Sequence, residues 1–174
     1  MEDMSVVTEQ QDLTQAIERI SQEDFVDTNN LFLMGASQGG VVATLTDLDQ
    51  SDKVRGLILL YPAFSLFDDA HERFESYDDI PDSYNLMGLD VGRKDFGDVW
   101  NTDIFNEMAD VRQNTLIVHG TSDSIVPYSY AKRASETIPN ARLMTINNGE
   151  HGFSASEQGR ISREIISFID QNRR

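Results

Sequence analysis

Apolar residues recur along the chain with two periods, and the changes of period divide it into elements. Between residues 6 and 21, Leu13, Ala16, Ile17 and Ile20 fall at i, i+3, i+4 and i+7, which predicts an amphipathic helix with one face for burial. A polar connection, Asp24 to Asn30, leads to the short apolar run Leu31 to Met34, a predicted strand. Val41, Val42, Leu45 and Leu48 then restore helical spacing until Asp49-Gln50-Ser51-Asp52 ends it. Val54 to Leu60 is apolar on both faces at Leu57-Ile58-Leu59-Leu60, the pattern of a buried parallel strand, and Tyr61-Pro62 closes it. Thr115 to Val118 and Ala141 to Ile146 read as two further strands. The helix between them, Tyr130 to Ile138, turns Ala131, Ala134 and Ile138 inward and stops at Pro139-Asn140. A closing helix carries Ile161, Ile165, Phe168 and Ile169 on one face, and Ser154 and Glu157 before it have capping-box spacing. Strands alternating with helices predict an α/β fold, a mostly parallel sheet with helices on both faces.

The pattern fails from about Ala63 to Asp110. Asp, Tyr, Phe and Gly dominate there, periodicity is weak, and the single tryptophan, Trp100, lies within it. A structureless loop of that length does not suit a compact domain, so the stretch 63–110 is expected to be an inserted cap with short elements of its own. With 174 residues the chain has length for one domain with a real core, and 1–174 is read as that domain.

Between the first strand and the second helix stands Gly35-Ala36-Ser37-Gln38-Gly39-Gly40. Strand, Gly-x-Ser-x-Gly and helix together describe a nucleophile elbow with Ser37 at its apex. Gly35 and Gly39 are expected to be there because side chains would collide with strand and helix, and Gly40 because it lets the helix lie close to the sheet. The N–H of Gln38, at the helix N-terminus, would face negative charge developing on a substrate, an arrangement suited to acyl transfer. The competing reading is an ordinary strand-to-helix turn in which Ser37 only caps the helix. The elbow reading alone requires an acid and then a histidine downstream.

Both are present. Asp123 follows the strand at 115–118, and His151 follows the strand at 141–146. Catalytic groups of parallel α/β sheets gather beyond the C-terminal ends of the strands, and Ser37, Asp123 and His151 all fall there. Ser37 is the candidate nucleophile, His151 the base that takes its proton, and Asp123 the carboxylate that orients the imidazole. His71 and His119 lack comparable support and are read as structural.

Composition narrows the partners. A formal charge of −16 without clustered Lys or Arg argues against nucleic acid and anionic membranes. No cysteine is present, no apolar run approaches membrane-spanning length, and the start Met1-Glu2-Asp3-Met4 is acidic; a cytoplasmic location is the expectation. Asp47, Asp49 and Asp52 come near an EF-hand spacing, but Asp52 stands where that loop needs glycine and Ile58 where it needs glutamate, so no metal is expected. No cofactor is implied.

Taken together, these motifs resemble the C-terminal two thirds or so of an α/β-hydrolase, most nearly the cinnamoyl and feruloyl esterase branch. The likeness is carried by Met4-Ser5-Val6, Gly35-Ala36-Ser37-Gln38-Gly39-Gly40-Val41-Val42-Ala43, Tyr61-Pro62-Ala63, Ile80-Pro81-Asp82, His119-Gly120-Thr121-Ser122-Asp123 and Gly149-Glu150-His151-Gly152-Phe153. It implies a partial α/β-hydrolase fold and a serine esterase using Ser37, Asp123 and His151 with a small-molecule ester as substrate. It also implies that Asp69, in the cap, meets a phenolic hydroxyl of that substrate. In the resembling family a loop preceding this region supplies a second oxyanion N–H, and a further strand pairs beside the strand at 31–36. Here the Gln38 N–H would act alone, and the 31–36 strand is expected to be an apolar edge open to a second copy or an N-terminal partner fragment. Two other readings stand beside the esterase: an inactive remnant or assembly subunit, and a serine peptidase of the prolyl oligopeptidase type.

Overall fold

The computed structural model describes residues 3–86 and 88–174. Met1 and Glu2 of the acidic start, and Met87 of the 63–110 stretch, lie outside the described residues. Helix α1 (Val6–Ile20) opens with a capping box in which the Thr8 N–H donates to Ser5 Oγ and the Ser5 N–H donates to Thr8 Oγ1. Strand β1 (Phe32–Ala36) leads through Ser37 into α2 (Gln38–Gln50), and β2 (Gly56–Leu60) follows. Next come α3 (Leu66–Arg73), the antiparallel hairpin β3 (Ser83–Leu86) and β4 (Leu89–Gly92), and the single turns α4 (Lys94–Gly97) and α5 (Ile104–Glu107). The chain finishes with β5 (Asn114–Gly120), α6 (Tyr128–Thr137), β6 (Ala141–Ile146) and α7 (Ala155–Asn172).

The four strands β1, β2, β5 and β6 form one parallel sheet in the order β1-β2-β5-β6. Residues of each strand point alternately to its two faces, and the core divides accordingly. Leu57, Leu59 and Ile117 pack with Val41, Leu45 and Ala131 from α2 and α6, whereas Ile58, Leu116 and Val118 pack with Ile161 and Phe168 from α7. Helices therefore cover both faces, as the continuous apolar runs require. Ala36, Leu60 and Val118 stand in register, so the segments after β1, β2 and β5 emerge at one end of the sheet. No helix among the described residues is long and apolar enough to cross a membrane.

Two expectations change. The inward face of α1 is narrower than its periodicity suggests: Ile17 is buried and Leu13 half-buried, but Ala16 and Ile20 are exposed. These residues look onto an open groove beside β1, which among the described residues pairs only with β2. Gly39 has no steric duty, since a Cβ there would meet nothing within 4 Å. The collision expected of both elbow glycines falls on Gly35 alone, where a Cβ would lie 2.0 Å from the Gly39 carbonyl oxygen.

Candidate active site

The turn after β1 places Ser37 in the left-handed region, at φ 53° and ψ −124°, a conformation that ordinary residues rarely adopt. Backbone bonds hold it there: the Ser37 N–H donates to Leu60 O at 2.9 Å, and its carbonyl accepts from the N–H groups of Gly40 at 2.9 Å and Ala63 at 3.0 Å. Its side chain makes no capping bond to α2, which removes the reading of Ser37 as a helix cap. Ser37 Oγ instead lies 3.1 Å from His151 Nε2, and His151 Nδ1 lies 2.8 Å from Asp123 Oδ2. The structure thus brings Ser37, His151 and Asp123, 114 residues apart at the extremes, into one hydrogen-bonded line.

The loops carrying acid and histidine are latched to each other. Ser122 N–H donates to Gly149 O, Thr121 N–H to Ile146 O, and Asn148 N–H to Thr121 Oγ1. Gly120 permits this approach, because a Cβ there would sit 2.1 Å from the Gly149 carbonyl oxygen. Asn148 and Phe153 both have positive φ, as does Tyr61, whose ring packs edge-on against His151 with centroids 4.5 Å apart. Four non-glycine residues in the left-handed region, Ser37 among them, thus lie in the loops that build one site.

Asp123 is buried, its side chain fully so. Burial pushes its carboxyl up, but the Val126 N–H, the His151 imidazole and the Ile125 N–H together outweigh this and hold it below the usual carboxylate range. An ionised Asp123 accepts, so His151 carries its proton on Nδ1, leaving Nε2 free to accept from the Ser37 hydroxyl. On its other side Asp123 meets a second histidine. His119 is wholly buried, with Nε2 3.3 Å from Asp123 Oδ2. From its sequence context alone, His119 is expected to be structural. The signal available was its spacing four residues before Asp123, which acquires meaning only when the loop folds back on the strand.

A cleft of about 420 Å³ opens beside Ser37 and Gln38. Leu66, Leu86, Phe96 and Ile125 supply apolar wall, and α3 presents Asp69, Glu72 and Arg73 to it. Residues of the 63–110 stretch therefore line the same cleft as the candidate nucleophile. Asp69 lines the cleft while remaining solvent-exposed, and Ser65 Oγ donates to its Oδ2 at 2.9 Å. Partial burial raises its carboxyl above the ordinary range, aided by the charges of Glu72 and Asp68, against the opposing pull of the Ser65 bond and the Arg73 charge. Gln38, the first residue of α2, has its backbone at the helix N-terminus while its side-chain amide donates to Glu9. Among the described residues no group of three or more His, Cys, Asp or Glu is arranged to hold a metal.

Similar architectures are known. Est1E from Butyrivibrio proteoclasticus matches 98% of this chain and 72% of its own at TM-score 0.90 and 21% identity, and Est1E with ferulic acid bound matches at TM-score 0.88 and 22% identity. Among curated relatives, the AB hydrolase superfamily protein YisY of Bacillus subtilis (strain 168) is 33% identical over 66 residues, 38% of this chain and 25% of that protein. The bifunctional esterase/perhydrolase DCH of Acinetobacter calcoaceticus is 28% identical over 69 residues, again 25% of its length. This chain thus spans about a quarter of the curated relatives it matches. The fold is that of an α/β-hydrolase. Residues 5–173 match the prolyl oligopeptidase family (Peptidase_S9), and the chain belongs to that family.

Proposed function

We propose that the chain is a serine hydrolase of carboxylic esters that works through an acyl-enzyme, with Ser37 as nucleophile, His151 as base and Asp123 as the carboxylate behind it. The observation that carries this reading is the continuous line from Ser37 Oγ to His151 Nε2 at 3.1 Å and from His151 Nδ1 to Asp123 Oδ2 at 2.8 Å. As Oγ attacks the ester carbonyl carbon, its proton passes to Nε2, and the carbonyl oxygen gathers negative charge beside the Gln38 N–H. Nε2–H then protonates the departing alkoxide. Water, giving its proton to the same nitrogen, attacks the acyl-enzyme; as the acyl–Oγ bond breaks, Nε2–H returns that proton to Ser37 Oγ, which releases the acid and restores the free serine and neutral His151.

The acyl group is an aromatic acid of the hydroxycinnamate class. The cleft has the size of a small-molecule site and combines apolar walls with the polar side chains of α3, among which Asp69 is suited to accept from a phenol. The likeness to Est1E, solved with ferulic acid, supports the same choice. The peptidase reading draws on the family description, but a cleft of about 420 Å³ lined by α3 and by Leu86 of β3 favours a short acyl group over a peptide. The test compares methyl ferulate, p-nitrophenyl acetate and a prolyl peptide anilide. The ferulate ester should be turned over best, and Asp69→Ala should reduce its hydrolysis by about tenfold more than that of the acetate, the scale of a lost hydrogen bond to a charged group. Equal losses on both esters would remove Asp69 from specificity, and preference for the anilide would overturn the esterase.

A further inference from the structure

We propose that His119 is a positioning residue for the candidate catalytic acid, holding Asp123 from the side opposite His151. The inference rests on the Ser37, Asp123 and His151 reading and adds to it a member that acts through Asp123 without meeting substrate. His119 closes β5 just before the loop that carries Asp123, and no part of its surface reaches solvent. Its Nε2 lies 2.9 Å from the carbonyl of Val126. A carbonyl only accepts, so Nε2 bears the proton. That same Nε2 stands 3.3 Å from Asp123 Oδ2, the oxygen that accepts from His151.

Val126 is the joint of the device. Its N–H donates to Asp123 Oδ1 at 2.9 Å while its carbonyl accepts from His119, and the Ile125 N–H donates to Oδ1 as well. The carboxylate therefore has Oδ1 fixed by two backbone donors, and Oδ2 shared between the His151 proton and the positive end of the His119 N–H dipole. Remove His119 and the turn at Val126 loses its anchor to β5. Both constraints on Asp123 then slacken together.

The ring is also built to stay neutral. His119 Nδ1 is buried with no partner among the described residues, so a second proton there would be an unsolvated charge without an acceptor. Burial accordingly holds the imidazole below its ordinary value, against the opposing influence of the Val126 carbonyl and Asp123. The Tyr128 ring stands edge-on at 6.1 Å, and His151 faces the same carboxylate. A neutral donor orients Asp123 without cancelling the charge that His151 needs as it becomes imidazolium.

The test has two arms. In the first, ¹⁵N NMR of the labelled chain should find His119 as the neutral Nε2–H tautomer from about pH 5 to about pH 9, with the His151 Nδ1–H signal sharp. In His119→Phe that His151 signal should broaden through exchange, and in His119→Gln, whose Nε2 can donate from nearly the same place, it should return. In the second arm, folded His119→Phe should lower kcat and the rate of fluorophosphonate labelling by up to about a hundredfold, the scale of a misplacement of about 1 Å, with KM nearly unchanged. His119→Gln should recover most of both. The proposal is overturned by an Nδ1–H tautomer, by titration of His119 near its ordinary value, by a folded His119→Phe with wild-type rates, or by a loss confined to KM. A wild-type chain that no serine-directed probe labels would count against the Ser37 reading instead, and the tautomer measurement would still decide whether His119 holds Asp123.

Discussion

Asp47 offers a direct measure of how the elbow helix is packed. It sits on α2 with no solvent exposure, and neither carboxyl oxygen has a partner among the described residues; Thr46 Oγ1 beside it is equally unpartnered. Burial raises the carboxyl from its ordinary 3.8 to about 7. Between those values the folded chain binds the proton more tightly than the unfolded chain, so folding is favoured at low pH. Stability is fully present below about pH 4, falls as pH rises toward 7, and levels off above it. About three units at about 1.36 kcal/mol each give a total of ~4 kcal/mol, of which roughly 2–3 kcal/mol falls between pH 5 and pH 8. Asp47→Asn keeps the shape and abolishes the titration. Urea unfolding of both chains across that range cancels the contribution of the other acids, and the advantage of the variant should grow by roughly 2–3 kcal/mol from pH 5 to pH 8. A difference that stays constant would refute the reasoning, because it would mean that Asp47 is hydrated or partnered in the folded chain.

Other outcomes follow from the same geometry. Gly35→Ala should prevent folding or destabilise by several kcal/mol, because its Cβ would strike the Gly39 carbonyl, whereas Gly39→Ala should be neutral or gain up to about 1 kcal/mol; thermal melts of the pair decide this. Asp123→Asn should keep the fold and slow ester turnover by roughly ten-thousandfold, read as kcat with circular dichroism as control. The β1 edge, where Met34 is 62% exposed, should pair with a second copy or an N-terminal fragment. Charge of −16 opposes contact between copies, but salt screens it over about 8 Å at physiological strength, so sedimentation should show association growing with salt. A monomer at all salts with the amides of 32–36 protected from exchange would refute the open edge.

Four strands and their enclosing helices were legible because each strand is a short apolar run that ends in turn-forming residues. Ser37, Asp123 and His151 were legible because each follows such a run at the end of the sheet where side chains meet. The 63–110 stretch showed no pattern because its elements are short, an eight-residue helix, single turns and a hairpin of two four-residue strands, joined by aromatic contacts between elements. Tyr84 stacks on Phe96, and Phe74 meets both. Periodicity records neighbours on one helix or strand, and these contacts cross between elements. Asp47 misled for a related reason. The sequence pattern places Asp47 only in a near EF-hand spacing, yet α2 packs against both α1 and the sheet and is buried continuously from Gly40 to Asp47. The contact of His119 with the Val126 carbonyl was not legible, because that partner is a backbone group that no side-chain pattern reveals.

The central claim is that Ser37 is a nucleophile activated by His151. Incubating the chain with a fluorophosphonate and reading intact mass, then peptide mass, tests it most directly. One adduct should form, located on Ser37, absent from Ser37→Ala and strongly slowed in His151→Ala. An adduct formed to the same extent in Ser37→Ala, or mapped to another residue, would contradict it.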